Sequence, residues 1–227
     1  MADVQQIVRV YGKKIRASNI LKALAADAES YQDAHDYAAE AAEVLCDVLG
    51  RFIDVSNIQQ DEAIQILTAV LRANHDDVAS VCRKVQQGLN AKAKVGLGAL
   101  VPDFNMEKAR GLAIGITDAE EVTPDYFRRL VVNNSLSVVD ETIRQNAEAQ
   151  EAIGMYVHIT RTYDDVGLHD GKDVCQWCMD REGDWDNYQE AYQAGCFERH
   201  PGCGCIINYE VGKTRTTANS KYGWRNM

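Results

Sequence analysis

Five residues near the carboxyl end have types and spacing suited to holding a metal ion. Cys175 and Cys178 belong to Cys175-Gln176-Trp177-Cys178; His200, Cys203 and Cys205 belong to His200-Pro201-Gly202-Cys203-Gly204-Cys205. A Cys-x-x-Cys pair lets two thiolates reach one cation from a tight turn. A second Cys/His pair from a distant point in the chain closes a tetrahedron, the usual arrangement of structural zinc. Twenty-one residues separate Cys178 from His200 and twenty-four separate it from Cys203, slightly beyond the common spacing of paired knuckles. Five groups compete for four places. One solution is Cys175, Cys178, His200 and one of Cys203 and Cys205; the other is Cys175, Cys178, Cys203 and Cys205. Gly202 and Gly204 free the backbone to turn where the ligands converge. Cys196 is read as a spare or packed thiol.

The pattern favours a closed structural site over a catalytic one. A zinc deaminase would carry His-x-Glu and a Pro before its Cys-x-x-Cys, and a zinc protease His-Glu-x-x-His. None of these occurs, so no enzyme is expected. Seven cysteines, an odd number, and an amino end without a basic segment leading into an apolar run argue against a secreted disulfide framework. His35, His75 and His158 stand singly and are expected to be packed or surface histidines. The acidic stretch 180–190 is expected to be a solvated loop. Two rival functions come from other residues. A metal-dependent nuclease would first draw on His169 and His200. A nucleic-acid-binding module would use the basic end, with Lys213, Arg215, Lys221 and Arg225 near Tyr222 and Trp224.

The elements that must position these groups change character along the chain. Ala is dense in the first fifty positions, whereas all three Trp and five of the seven Cys lie beyond residue 170. The fold expected is mainly α: a helical body over 1–153, a small zinc-stabilised β-hairpin module over 154–211, and a basic flexible tail over 212–227. In the body, Ala34, Tyr37, Ala38, Ala41, Val44, Leu45, Val48 and Phe52 recur at three- and four-residue spacing, one stripe of a helix. A second run follows Ser56 through Ile64, Leu67, Val70 and Leu71, with a stop or kink at 74–77. Asp76 or Asp77 would cap a third run through Val78, Val81, Cys82 and Val85. The stretch 94–103, with Gly96, Gly98 and Pro102, is the clearest break. A short helix is expected over 105–114. Thr123-Pro124-Asp125 then has the order of an N-cap, a first-turn Pro and a first-turn acid, opening a helix that runs towards Ala152. Beyond Gly154 the period shortens. Residues 155–160 and 205–211 read as strands, and a lone pair of strands is marginal in water. Zinc can supply ~10 kcal/mol of folding free energy, enough to staple such a module.

Length and charge exclude several classes. The 227 residues carry a formal charge of −10, which opposes broad non-specific attachment to nucleic acid, so DNA contact is confined to a weak one through the basic tail. No apolar stretch approaches the ~20 residues of a membrane helix, so no membrane association is expected. Helices with apolar faces would also suit homo-oligomerisation.

The last seventy residues or so resemble the carboxy-terminal module of the tailed-phage minor head proteins, the Mu F-like head morphogenesis family. There a strand leads to Cys-x-x-Cys, a variable loop follows, and His-Pro-x-Cys-x-Cys runs into a second strand. The matching residues here are Thr160-Arg161-Thr162-Tyr163, Cys175-Gln176-Trp177-Cys178 and His200-Pro201-Gly202-Cys203-Gly204-Cys205-Ile206-Ile207. Tyr188-Gln189-Glu190-Ala191-Tyr192 and Phe197-Glu198-Arg199 strengthen the match. Two features depart from the family: Gly204 stands where it often has a basic residue, and the chain is short. The resemblance implies a virion component present in few copies, assembled in the host cytoplasm. Its implied partners are the portal, the major capsid protein or a connector protein.

Overall fold

Helix ends in this chain are set by side chains that satisfy the exposed amides of the first turn. The structure, a computed structural model, describes residues 3–163 and 175–212. Asp3 caps α1 (Val4–Ala17) and Ser18 caps α2 (Asn19–Asp27), two helices that the apolar pattern did not announce. Ser30 and Asp33 form a reciprocal capping box at the start of α3 (Tyr31–Phe52), a device worth about 1 kcal/mol. Asn105 caps α5 (Met106–Asp118), and Thr123 caps α6 (Pro124–Ala152) with Pro124 in the first turn, as its sequence order suggested.

One expectation in the body is overturned. Instead of two runs separated at 74–77, α4 is a single helix of 34 residues, Gln60–Ala93. Asn74 and His75 at the supposed break are buried, Asp77 is half-buried and Asp76 is exposed, so only part of this polar stretch faces solvent. The Asn74 side-chain amide donates to the Tyr11 hydroxyl of α1 at 3.1 Å, and its carbonyl accepts the Ser135 hydroxyl of α6. With neither Pro nor Gly at 74–77, nothing local stops the ladder. Helix α4 ends where expected, with Lys94 in the left-handed region at φ 56°.

Helices α3, α4 and α6 pack on one another; α1 lies against α3 and α4, α2 against α3, and α5 against α4. After Gly154, which turns the chain at φ +82°, the polypeptide folds back on this bundle as a sheet. Strand β1 (Tyr156–Thr162) is central, flanked by β2 (Gly183–Trp185) and β3 (Ile206–Gly212), both antiparallel to it. The β1–β3 pair is in register over seven residues, from Tyr156 opposite Gly212 to Thr162 opposite Ile206. The mainly α fold with a small β module is as expected, and the expected pair of strands is β1–β3, with β2 added as a third strand on the other edge of β1. The stretch 180–190 is correspondingly no plain solvated loop. It holds β2 and the start of α8 (Tyr188–Gln193), which is capped by Asn187 and sends Tyr188 and Ala191 into the interior.

Val157, Ile159, Ile207 and Tyr209 point inward and join the same buried cluster as the helices. That shared core supplies the sheet with apolar support a small isolated module would lack. Among the described residues no helix is long and apolar enough to cross a membrane. The basic residues from Lys213 onward and His169 lie outside the described residues.

Candidate metal centre

Two short pieces of local structure present the side chains that could hold a metal ion. Cys175 precedes the single helical turn α7 (Gln176–Met179), where the amides of Cys178 and Met179 both donate to the Cys175 carbonyl at 3.0 Å. This turn brings the two sulfurs of Cys-x-x-Cys to one side. The second piece is a type II turn. Pro201 occupies its second position, Gly202 its third at φ +85°, and Cys203 N–H closes it on the His200 carbonyl at 3.0 Å. Only a residue without a Cβ adopts that φ cheaply, which explains Gly202. Gly204 is not left-handed, so the freedom expected of it is unused.

Together these pieces gather all five predicted groups. Cys175, Cys178 and His200 form one set of donor atoms within 4.8 Å of one another; Cys178, Cys203 and Cys205 form a second set sharing Cys178. His200 Nε2 lies 2.9 Å from Cys178 Sγ and 3.3 Å from Cys175 Sγ, and Cys178 Sγ lies 3.7 Å from Cys203 Sγ. A tetrahedral zinc, with Zn–S of about 2.3 Å and Zn–N of about 2.0–2.1 Å, requires edges of about 3.8 Å between sulfurs and about 3.5 Å between sulfur and nitrogen. The three separations, 2.9–3.7 Å, lie at or below those edges, so the donors are close enough to share an ion, each triad offering three of its four ligands. His200 Nδ1 lies 2.9 Å from the Pro201 carbonyl, so the Nδ1–H tautomer donates there and directs the Nε2 lone pair at the sulfurs. All seven cysteines are free thiols. Cys178, Cys203 and Cys205 are buried, whereas Cys175 and His200 are partly exposed.

The surroundings favour negative sulfur. Arg161, fully buried on the inward face of β1, donates from Nη1 to the carbonyls of Cys196 and Glu198, and its Nη2 lies 3.5 Å from Cys203 Sγ. Arg199 Nη1 lies 3.9 Å from the same sulfur. A hydrogen bond from Cys205, then Arg199 and Arg161, holds the Cys203 thiol below its ordinary range against the upward push of burial. Burial, followed by the nearby Cys203, pushes Cys178 up to about 12 in the absence of an ion. Cys46, Cys82 and Cys196 behave as inert packed thiols, each pushed up to about 12 chiefly by desolvation. Cys196 belongs to the main core rather than to either candidate donor set.

An aromatic rim covers the exposed side. The Trp177 ring meets the His200 ring edge-on, with centroids 4.9 Å apart at 81°. The Arg181 guanidinium sits 3.8 Å above the indole and is held by Glu198 at 3.1 Å.

Sequence reasoning named the clustered Cys and His residues but missed the buried charges beside them: Arg161, Arg199 and Asp140. A period-two reading does contain a signal for Arg161, because it falls on the same face as Val157 and Ile159. Nothing local distinguishes Asp140 from the other acids of α6. Of the single histidines, His35 and His75 are packed, and His158 is partly exposed between Asp184 and Asp186. Comparison of the chain with family models, curated proteins and solved structures finds no match.

Proposed function

We propose that this chain is a minor head protein of a tailed phage, an assembly component whose carboxy-terminal knuckle is stapled by one structural zinc ion. The observation that carries this reading is that Cys175-x-x-Cys178 and His200-Pro-x-Cys203 come together as two overlapping donor sets that share Cys178. These are the residues on which the resemblance to the Mu F-like head morphogenesis module rests. The ligands would be Cys175, Cys178, His200 and Cys203, with Cys205 retained as a neutral thiol donating to Cys203. Bound zinc would supply cross-linking of two distant turns and no reaction chemistry. Charge supports that set. Three thiolates and Zn2+ leave one net negative charge, and Arg161 supplies one positive charge, since Arg199 is already paired with Asp140. The knuckle so braced is a rigid surface suited to docking on a portal, capsid or connector protein in the assembling virion.

Two measurements test the reading. Thiol-protected protein should contain about one zinc per chain by elemental analysis. Cys175→Ser should lower that content and loosen the knuckle while most of the helical signal persists. Mass spectrometry of precursor heads and mature particles should find the chain in a few copies per particle. Recovery only as free protein, with no particle-bound fraction, would count against the assembly role.

A further inference from the structure

We infer that Asp140, in the middle of α6, is a positioning residue for the metal centre, acting through Arg199 on the turn that carries Cys203 and Cys205. The inference rests on the metal reading above. Arg199 directly precedes His200, and its guanidinium is committed on every side. Nε and Nη2 pair with the two carboxylate oxygens of Asp140, the Nη2–Oδ1 contact being 3.0 Å. Nη1 donates to the Cys203 carbonyl at 3.1 Å and Nη2 to the Cys205 carbonyl at 2.8 Å. One planar group therefore ties the helical body to the backbone of both carboxy-terminal cysteines. Lys, a flexible point charge, cannot reproduce that fork.

Burial makes the arrangement obligatory. The Arg199 and Asp140 side chains are 3% and 2% exposed, so each charge depends on the other for compensation. His35 of α3 closes the far side of the carboxylate, with Nε2 3.4 Å from Asp140 Oδ1. If Asp140 loses its charge, the buried guanidinium loses the carboxylate that anchors it to α6 and is left with only the Cys203 sulfur, 3.9 Å from Nη1, as a negative neighbour. Its grip on the Cys203 and Cys205 carbonyls then relaxes, and the sulfur positions relax with it. By thermodynamic reciprocity, an ion that fixes the turn must also tighten Arg199 onto α6. Metal occupancy and the order of the central helix are thus linked through one ion pair, some sixty residues apart in sequence.

The experiment measures zinc affinity of the full chain by competition with a chromophoric chelator. Asp140→Asn and Arg199→Lys should each weaken binding by ~10–100-fold, the usual effect of removing a group that orients a metal ligand. Val139→Ala, a cavity in the fully buried adjacent position of α6, should bind close to wild type although it is also destabilised. If Asp140→Asn does not fold, Arg199→Lys carries the comparison. Hydrogen exchange adds a readout that a merely structural pair would not move: zinc should slow exchange of α6 amides around residue 140 in wild type and not in Arg199→Lys. Wild-type affinity in both variants, an equal loss in Val139→Ala, or zinc-insensitive α6 exchange would overturn the inference. Failure of the wild-type chain to take up zinc would instead overturn the metal reading beneath it.

Discussion

Arg161 Nη2 lies 3.5 Å from Cys203 Sγ, at the inward β1 position that follows Val157 and Ile159 on the same face. A charged residue thus occupies a core position of the central strand, and sulfur is its partner. The cost of burying a guanidinium is offset by hydrogen bonds to two carbonyls and by attraction to a thiolate.

Arg161 and Arg199 lie near both carboxy-terminal cysteines, and what separates the two is the hydrogen bond from Cys205 to Cys203, which favours the thiolate on Cys203. As the acceptor of that bond Cys203 should be the fourth ligand, so Cys203→Ser should abolish stoichiometric zinc binding. Cys205→Ser leaves a hydroxyl able to donate in place of the thiol and should retain about one zinc per chain in native mass spectrometry. Equal loss in both variants would show that the fourth place is shared.

The Tyr11–Asn74–Ser135 bridge joins three helices in the interior. Asn74→Ala leaves the Tyr11 hydroxyl and the Ser135 hydroxyl short of a buried partner and opens a small void. A loss of about 2–3 kcal/mol is expected from urea unfolding of the zinc-loaded protein. A loss within error of zero would mean that the bridge contributes nothing net.

His35 is fully buried, and desolvation lowers its pKa to about 4, opposed by Asp140 and reinforced by Arg199. Its Nε2 also accepts the Ile207 N–H at 3.4 Å, which favours the neutral ring. The folded pKa lies below the unfolded value of about 6.5, so the unfolded chain binds more protons between those limits. Stability from this group is therefore complete above pH 6.5 and is lost as pH falls towards 4. His35→Gln should flatten the stability–pH profile in that window relative to wild type, both measured by denaturant unfolding at saturating zinc. Parallel profiles would rule out the histidine as the source.

Much of the body was legible because its signals are local. Ser30, Asn105 and Thr123 announce helix starts through hydrogen bonds to amides three positions on, and Lys94 lies in the Gly-rich break expected at 94–103. Polarity at 74–77 misled for the same reason: Asn74 looks like a terminus to its neighbours but answers to Tyr11 and Ser135, more than sixty residues away. Likewise β2 is only three residues long, and its pairing with Ile159, Thr160 and Arg161 owes nothing to any pattern in residues 183–185.

The five candidate metal ligands are legible in the sequence alone, and Cys-x-x-Cys and His-Pro-Gly-Cys make their turns with short-range hydrogen bonds. Tertiary structure decided how those turns meet and what braces them. The buried charges of Arg161, Arg199 and Asp140 acquire meaning only when α6 and the sheet come together, because desolvation and ion pairing depend on distance in space and not along the chain.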